Sequence, residues 1–464
     1  MKRRAREVAD VTASRYMPPW MPEPGHGDFI GERRLTDAQI ATLRRWVEGG
    51  APEGDARDAP KPPSFPQGWQ LGTPDLVVAM PAPIDVPAEG LDRFRTVIVP
   101  FRIDGPKSVR AVEFRPGNPR AVHHAMVRLV RSGAGSRIPD PGRRIIETEG
   151  MLATEEDIIS PEGHVLGWAP GYSPTVVPTG MAWRLDSSSA LAIELHLQTT
   201  GRPEQVQSAV GLCFTNEAPT RTPFGLQLGA YTIDIPPGAR DYVVEDRYEL
   251  PVDVLLHAIY PHAHYLGKDI RAFATLPDGT ERSLIWIRDW DFNWQNAYRY
   301  QSPVRLPRGT ILRMRYTYDN SAQNPRNPSN PPKRVRYGGQ SGDEMANLWM
   351  QVEPTNAGDL SALRADYERK SAERRIAGFE LMVRDQPRNA GFRRALGTTY
   401  LQLGRVDGAL EALRAAVRLE PRDATARYNL GHALAAKGER AEALAEFREA
   451  ARLQPSFAEA HNNV

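Results

Sequence analysis

The chain has almost no cysteine. Cys213 is the only one in 464 residues, so no intrachain disulfide can form. An excess of charge of one sign is lacking too, because 59 basic and 57 acidic residues leave a net charge of +2. That balance gives no global field to attract nucleic acid or an anionic membrane. No apolar run approaches the roughly 18–20 residues of a membrane span, and no Walker loop or Gly-x-Ser-x-Gly element appears.

The length allows three or four folded units at roughly 100–200 residues each. Residues 56–75, rich in Pro, Gly, Asp and Lys, predict a linker. Short β-rich runs such as RTVIVPF and ALAIELHL follow, separated by Pro/Gly turns. This pattern is typical of a β-sandwich class and not of alternating βαβ units. A break at Asn216–Phe224 predicts two consecutive domains, 76–218 and 219–356.

Residues 359–464 carry an internal repeat. Pro387, Pro421 and Pro455 recur every 34 residues, and Leu396-Gly397 returns as Leu430-Gly431. This period predicts all-α tetratricopeptide repeats, whose helix pairs stack because one pair cannot bury its own apolar face. About three repeats are needed for stability, so the helical residues before the first repeat are predicted to pack as an additional layer. The repeats suggest a protein partner, and a purely structural appendage stays open.

Histidines carry the strongest chemical signal. The chain has only ten, and half of them lie in three short motifs: His123-His124 in AVHHAMV, His196 in IELHLQT, and His262 with His264 in YPHAHYLGK. Residues two apart point to the same face of a strand, so His262 and His264 can bind one metal ion. Adjacent residues point to opposite faces. Joint ligation by His123 and His124 therefore requires a strand end, a bulge or a loop.

Met345, in SGDEMANLW, adds a soft thioether that selects Cu(I), so the group points to redox copper and not to zinc. The order HH, single His in an apolar strand, HxHxLGK and DEMxN resembles the copper type II, ascorbate-dependent monooxygenases. This is the family of peptidylglycine α-hydroxylating monooxygenase and dopamine β-monooxygenase. The stretch WAPGYSPTVVPTGMAWRL, which leads toward His196, is similar as well. The likeness spans roughly residues 70 to 355 and implies two consecutive jelly-roll-like β-sandwich domains with one copper each.

The resemblance also implies roles. An electron-transfer copper would be held by His123, His124 and His196, and a catalytic, O2-binding copper by His262, His264 and Met345. The implied cofactors are two copper ions per chain and ascorbate or another electron donor. The implied reaction hydroxylates a C–H bond of a small organic substrate with O2.

Three positions beside the second group bear on the substrate. Tyr260 stands where the peptide-amidating members have an arginine for the substrate carboxylate, and Trp349 replaces their tyrosine, while Asn347 is kept. Peptidylglycine is therefore not the expected substrate. Two other functions stay open. One is a non-catalytic copper-binding or electron-transfer protein with a repeat-based interaction region, and the other is a repeat scaffold whose β domains have lost their metal.

Residues 1–55 resemble the C-terminal part of a bacterial class I cytochrome c domain. Met17 in RYMPPWMPEP would be the axial haem ligand, with Met21 as the alternative. A capping box, Thr36-x-x-Gln39, predicts a closing helix that ends at Gly49-Gly50. No CxxCH motif is present, so we expect a cofactor-free helical lead-in here, and haem c only in a longer gene product. MKRRAREVADV is not a signal peptide, yet the likeness leads us to expect a periplasmic or extracytoplasmic protein.

Overall fold

The computed structural model describes residues 2–61, 68–131, 145–148, 158–159, 166–186, 189–455 and 457–464. The N-terminal segment contains helices α1 (Ala5–Ala13) and α2 (Asp37–Glu48). The predicted capping box is confirmed, because Thr36 and Gln39 bond each other's backbone N–H at the start of α2. Short 3-10 helices cover Lys2–Arg4, Ala56–Asp58, Phe292–Trp294 and Ala357–Asp359.

The first half of the β region forms two antiparallel sheets. Its strands are β1 (Leu76–Ala79), β2 (Ile84–Val86), β3 (Arg93–Pro100), β4 (Lys107–Arg115), β5 (Val122–Arg131), β6 (Ile145–Thr148), β7 (Ile158–Ile159), β8 (Gly167–Trp168), β9 (Thr175–Val176), β10 (Trp183–Leu185), β11 (Ser189–Leu197), β12 (Glu204–Val206) and β13 (Ala209–Thr215). One sheet has the order β1-β13-β4-β10 and the other β6-β3-β11-β5-β7, with β9 added to β4, β8 to β5, and β12 paired with β2. Trp183 of the first sheet and Leu195 of the second lie in one buried cluster, so the two sheets share a core.

The second half of the β region also forms two antiparallel sheets. Its strands are β14 (Phe224–Gly229), β15 (Asp234–Ile235), β16 (Tyr242–Glu249), β17 (Val254–His262), β18 (Gly267–Thr275), β19 (Glu281–Ile287), β20 (Tyr298–Leu306), β21 (Ile311–Tyr318), β22 (Val335–Arg336) and β23 (Asn347–Pro354). The sheets have the orders β14-β23-β17-β20 and β16-β21-β18-β19, with β15 paired to β22. Ile259 of β17 and Tyr316 of β21 share one core. The predicted break at 216–224 falls between β13, which ends at Thr215, and β14, which begins at Phe224.

Alternation along β17 and β23 gives each strand two different faces. Ile259 and Met350 point into the core of the second half. Tyr260 and Trp349, one residue away from each, lie on the opposite face. The first half contacts this side of the sheet, since Arg299, on the same face of the neighbouring strand β20, donates to the carbonyl of Val176. The junction between the two halves therefore lies over this face.

Part of the N-terminal segment packs into the second half. Isolated β-bridges join Pro22 to Ile287 and Phe29 to Tyr300. The Phe29 ring is 2% exposed and belongs to the core of that half. Burying a phenylalanine contributes about 1.5–3 kcal/mol, so residues 22–30 are an integral layer of this part of the fold.

From residue 360 onward the chain is helical. The helices are α3 (Leu360–Asp385), α4 (Ala390–Gln402), α5 (Val406–Leu419), α6 (Ala424–Lys437), α7 (Arg440–Leu453) and α8 (Ala458–Asn462). Ile376 of α3 packs with Leu396 of α4, so the predicted additional helical layer is confirmed. In addition, α3 docks on the β region, since the Tyr367 hydroxyl bonds both the backbone N–H and the carbonyl of Gln227. In the part of the chain that is described, no helix is both long and apolar enough to cross a membrane.

Candidate metal centre

The first histidine group lies on neighbouring strands. His196 in β11 pairs with His124 in β5, and Leu197 pairs with Val122, so His123 is the extra residue of a β-bulge. This is one of the irregularities that joint ligation by adjacent histidines requires. The Nδ1 atom of His124 lies 2.9 Å from Nδ1 of His123 and 3.2 Å from Nδ1 of His196.

Three converging Nδ1 atoms suit a single metal ion. Imidazole nitrogens bind metals at about 2.0–2.1 Å, so two ligands of one ion are at most about 4 Å apart. Each imidazole must also be neutral to bind. Burial and the neighbouring His196 ring lower the pKa of His123 to about 3, and burial holds the pKa of His124 well below its usual range. Neither of these rings is protonated at neutral pH.

His196 is oriented by two neighbours. Its Nε2 atom lies 2.8 Å from Oδ2 of Asp92, and its ring stacks on Phe94 with 4.5 Å between centroids. An ionised carboxylate only accepts hydrogen bonds, so in the neutral His196 ring Nε2 carries the proton and Nδ1 keeps its lone pair. Burial raises the pKa of Asp92, but hydrogen bonds from His196 and Ser341 outweigh it and lower the pKa to about 2.

The second group lies at the end of β17. His262 is the last residue of that strand and His264 follows two positions later, with 5.1 Å between ring centroids. Gln295 donates its side-chain N–H to the carbonyl of Phe292, which turns its oxygen toward Nδ1 of His262. Nδ1 of His264 donates to the carbonyl of Asp343 over 3.0 Å. Both Nδ1 atoms are therefore engaged, and the Nε2 atoms carry the lone pairs available to a metal ion.

A buried carboxyl group brings Met345 to this pair. Glu344 is 0% exposed and accepts hydrogen bonds from the backbone N–H groups of His264, Leu266 and Met345. Burial raises its pKa to about 8 against the effect of these bonds. Met345 is 5% exposed, and its sulfur lies 3.6 Å from the amide nitrogen of Asn347. The Glu344 side chain thus ties the segment 344–345 to the backbone of the histidine segment.

The two groups adjoin at the junction of the halves. The rings of His124 and His262 are 6.5 Å apart. Phe292 lies beside both groups, with its centroid 4.8 Å from His123 and 5.4 Å from His264. The five predicted histidines therefore form one continuous cluster of rings.

The three predicted substrate positions lie beside the second group. Tyr260 and Trp349 stack at 5.3 Å with an angle of 20° between their planes, and Trp349 is 5.9 Å from the His262 ring. Asn347 is buried directly opposite His262. These side chains form an aromatic wall with one amide next to the histidines.

Met17 lies in the N-terminal segment and not in the histidine cluster. It lines a cleft within the N-terminal segment together with Trp20 and Met21, and all of the lining residues belong to the segment 12–40. Its side chain is 40% exposed. Met21 accepts a hydrogen bond from the backbone of Asp291 over 3.4 Å.

Several residues of the centre carry no signal in the sequence. Asp92, Gln295 and Phe292 lie outside every motif, and Ser341 lies in SGDEMANLW but outside its DEMxN pattern. They reach the histidines only through the fold. A polar residue shortly before a β-rich run, such as Asp92, occurs too often in proteins to indicate a partner of a histidine about 100 residues away.

Comparison with known proteins identifies the C-terminal region. The tetratricopeptide repeat family matches residues 394–457, which confirms the predicted repeats. No curated protein matches the chain. Among solved structures, the first TPR of Spaghetti (RPAP3), bound to an HSP90 peptide, is 21% identical with a TM-score of 0.20 and covers 21% of this chain and 76% of that chain. A mutant O-GlcNAc transferase of Thermobaculum terrenum is 26% identical with a TM-score of 0.20, covering 20% of this chain and 18% of its own.

Proposed function

We propose that this protein is a copper-dependent monooxygenase of the copper type II, ascorbate-dependent kind. It would hydroxylate a C–H bond of a small organic substrate with O2 and an external reductant, through two mononuclear copper sites. The observation that carries the proposal is the convergence of three separate histidine motifs at one junction. His123-His124, His196 and His262 come from different strands, yet neighbouring rings in the cluster are no more than 6.5 Å apart.

The donor atoms fit copper. The first group offers three Nδ1 atoms and no carboxylate, and the second offers two Nε2 atoms next to a buried methionine. Imidazole suits copper, and a thioether favours its reduced ion. The rings of His196, His262 and His264 each have a hydrogen-bond partner on the nitrogen that does not face the metal group, which is a usual support for a metal-binding histidine.

The fold is consistent with the same family. We propose that each half, 76–218 and 219–356, is a jelly-roll-like β-sandwich. The support for this is that two antiparallel sheets share one core in each half. The junction would then bring one metal group from each domain together.

Copper bound at these residues would supply one-electron redox chemistry and O2 activation. The protein's own residues would orient the ligand rings and shield the metal groups from water. Gln295 and the carbonyl of Asp343 orient the rings of His262 and His264. Phe292, which is 2% exposed, fills the space beside both groups and excludes water from it.

The aromatic wall suggests the class of substrate. Trp349 stacks on Tyr260 and lies 5.9 Å from the His262 ring, so a flat apolar group stacked there would place its alkyl carbon near the second metal group. Asn347 would supply a polar contact for orientation. We therefore propose an aryl-alkyl substrate whose reacting C–H is benzylic.

The test is isotopic. Copper-loaded protein with ascorbate and 18O2 is incubated with aryl-alkyl compounds that carry benzylic C–H bonds. We expect an alcohol that contains one 18O atom, and no such product from His264→Ala. Alcohol without label, or labelled product in equal amount from His264→Ala, would refute the proposed reaction.

A second candidate is a copper protein that only transfers electrons. The 6.5 Å separation of the His124 and His262 rings favours it, because electrons would pass directly between two such close sites. Reversible reduction of both coppers, with O2 uptake that no organic compound stimulates, would support this candidate. In either case the tetratricopeptide repeats would bind a protein partner.

A further inference from the structure

Asp92 makes contacts in both halves of the β region. It immediately precedes β3 in the first half, and its side chain is 21% exposed. The Oδ2 atom accepts a hydrogen bond from Nε2 of His196 over 2.8 Å. The same oxygen accepts a hydrogen bond from the hydroxyl of Ser341, in the second half. Gln198 bonds the carboxylate as well.

We propose that Asp92 is the positioning residue of the first metal group: it fixes the tautomer of His196 and, through Ser341, joins that group to the segment that carries Met345. The part of this inference that concerns copper rests on the proposed function. The part that concerns the tautomer does not, because it follows from the hydrogen bonds that Asp92 makes with His196 and Ser341.

The tautomer decides whether the group can bind a metal. A neutral imidazole has one protonated and one unprotonated nitrogen. With Asp92 as acceptor the proton stays on Nε2, so the lone pair of Nδ1 points to Nδ1 of His124, 3.2 Å away. Without the carboxylate, the ring is able to carry its proton on Nδ1. Such a ring presents an N–H to the cluster and cannot act as its third ligand.

Ser341 extends the contact to the second group. It lies four residues before Met345 and also 3.4 Å from Nε2 of His196. Its bond to Asp92 crosses the junction between the halves. Removal of the Ser341 hydroxyl breaks this connection but leaves the bond between Asp92 and His196 in place, so the two roles of the carboxylate can be separated.

The first measurement uses metal-free, full-length protein labelled with 15N-histidine. The His196 signals are assigned by their loss in His196→Ala. We expect wild type and Ser341→Ala to show Nε2 protonated and Nδ1 unprotonated. Asp92→Ala should show a mixture of tautomers, and Asp92→Asn, which keeps an acceptor oxygen, should stay close to wild type. A wild-type ring protonated on Nδ1, or an unchanged ring in Asp92→Ala, would overturn the inference.

The second measurement is the copper affinity of each site, by competition with a chelator, together with the Cu(II) spectrum. Loss of an outer partner of a ligand typically weakens metal binding 10- to 100-fold. We expect a loss of this size at one of two sites in Asp92→Ala, with an altered Cu(II) hyperfine pattern. Ser341→Ala should retain affinity within about threefold, and Asp104→Asn, an exposed residue of the same half, should match wild type.

The outcomes separate the two proposals. If Ser341→Ala loses as much affinity as Asp92→Ala, the carboxylate acts only by holding the halves together and the positioning role is wrong. If wild type shows the expected tautomer but does not bind copper at the three histidines, the proposed function fails while the tautomer inference stands. Thermal unfolding of each variant shows that the compared proteins are folded.

Discussion

His262 and Asn347 are directly opposite each other on the antiparallel strands β17 and β23. Two residues beyond His262 is His264, and two residues before Asn347 is Met345. The register therefore places the thioether segment beside the second histidine, although about 80 residues separate them in the chain. A slip of one residue would turn these side chains to the opposite face, so the assignment of Met345 depends on this pairing.

Substitution of Met345 tests that assignment. Met345→Leu keeps the volume of a buried side chain, so it should cost under about 1.5 kcal/mol of stability. The soft ligand would be lost, however. We expect Cu(I) binding at the second site to weaken and 18O-labelled product to fall by orders of magnitude, while the thermal midpoint barely changes.

Met350 provides the matched control. It is 1% exposed, lies on the same strand as Asn347 and points into the core. Met350→Leu should be nearly silent in copper affinity and product formation. If Met345→Leu keeps full activity, or Met350→Leu shows the larger loss, Met345 is an ordinary core residue.

The two groups should have separable roles. His196→Ala removes a donor of the first group and should slow electron delivery. It should leave the reduced second site able to bind carbon monoxide, an O2 surrogate. His264→Ala should abolish that binding. Infrared spectroscopy of the carbonyl stretch measures both, and equal loss in the two variants would contradict the division of roles.

Acid should destabilise the metal-free protein. Burial lowers the pKa of His123 to about 3 and that of His262 to about 4, below the value of about 6.5 for a free imidazole. As the pH falls below 6.5, the unfolded chain binds protons that these folded rings do not, so unfolding becomes easier. Between pH 7 and pH 5, each ring should lower the free energy of unfolding by about 2 kcal/mol.

Thermal unfolding between pH 7 and pH 5 measures this effect. The midpoint should fall with pH, and the fall should be smaller in His262→Gln. His461→Gln, which changes an exposed ring near the C-terminus, should keep the wild-type fall. A midpoint that is constant or rises over this range would show that the buried rings do not resist protonation.

The docking of α3 on the β region can be tested at a glycine. A Cβ atom at Gly378 would lie 2.3 Å from Cβ of Tyr231. Alanine favours a helix over glycine by about 1 kcal/mol, but overpacking costs about 1–3 kcal/mol and neither Cβ can rotate away. We expect Gly378→Ala to lower the free energy of unfolding. Gly54→Ala, where an added Cβ meets nothing within 4 Å, is the control. Equal stability of both variants would contradict a tight contact here.

Local sequence patterns explain why some elements could be predicted. The Thr36–Gln39 capping box needs only residues three apart, and the 34-residue period of the repeats is visible along the chain. The need for a bulge at His123-His124 follows from the two-residue alternation of strands. Each of these features depends only on residues that are close in the sequence, so it can be predicted from the sequence alone.

Contacts across the fold could not be predicted in this way. Phe29 has no pattern that assigns it to the core of the second half, and its bridge to Tyr300 spans 271 positions of the chain. Asp92, Gln295 and Phe292 act on histidines of other strands. Their positions depend on how the halves meet, and a single Asp, Gln or Phe has no local signature for that arrangement.

The most direct measurement is an anaerobic copper titration of the full-length protein followed by X-ray absorption at the copper edge. It reports the metal, its stoichiometry and the ligand atoms together. We predict two equivalents of Cu(I), with three nitrogen ligands at one and two nitrogens plus one sulfur at the other, and loss of the sulfur signal in Met345→Leu. Binding of a single equivalent, absence of sulfur in the wild type, or preference for zinc when copper is replete would contradict the account.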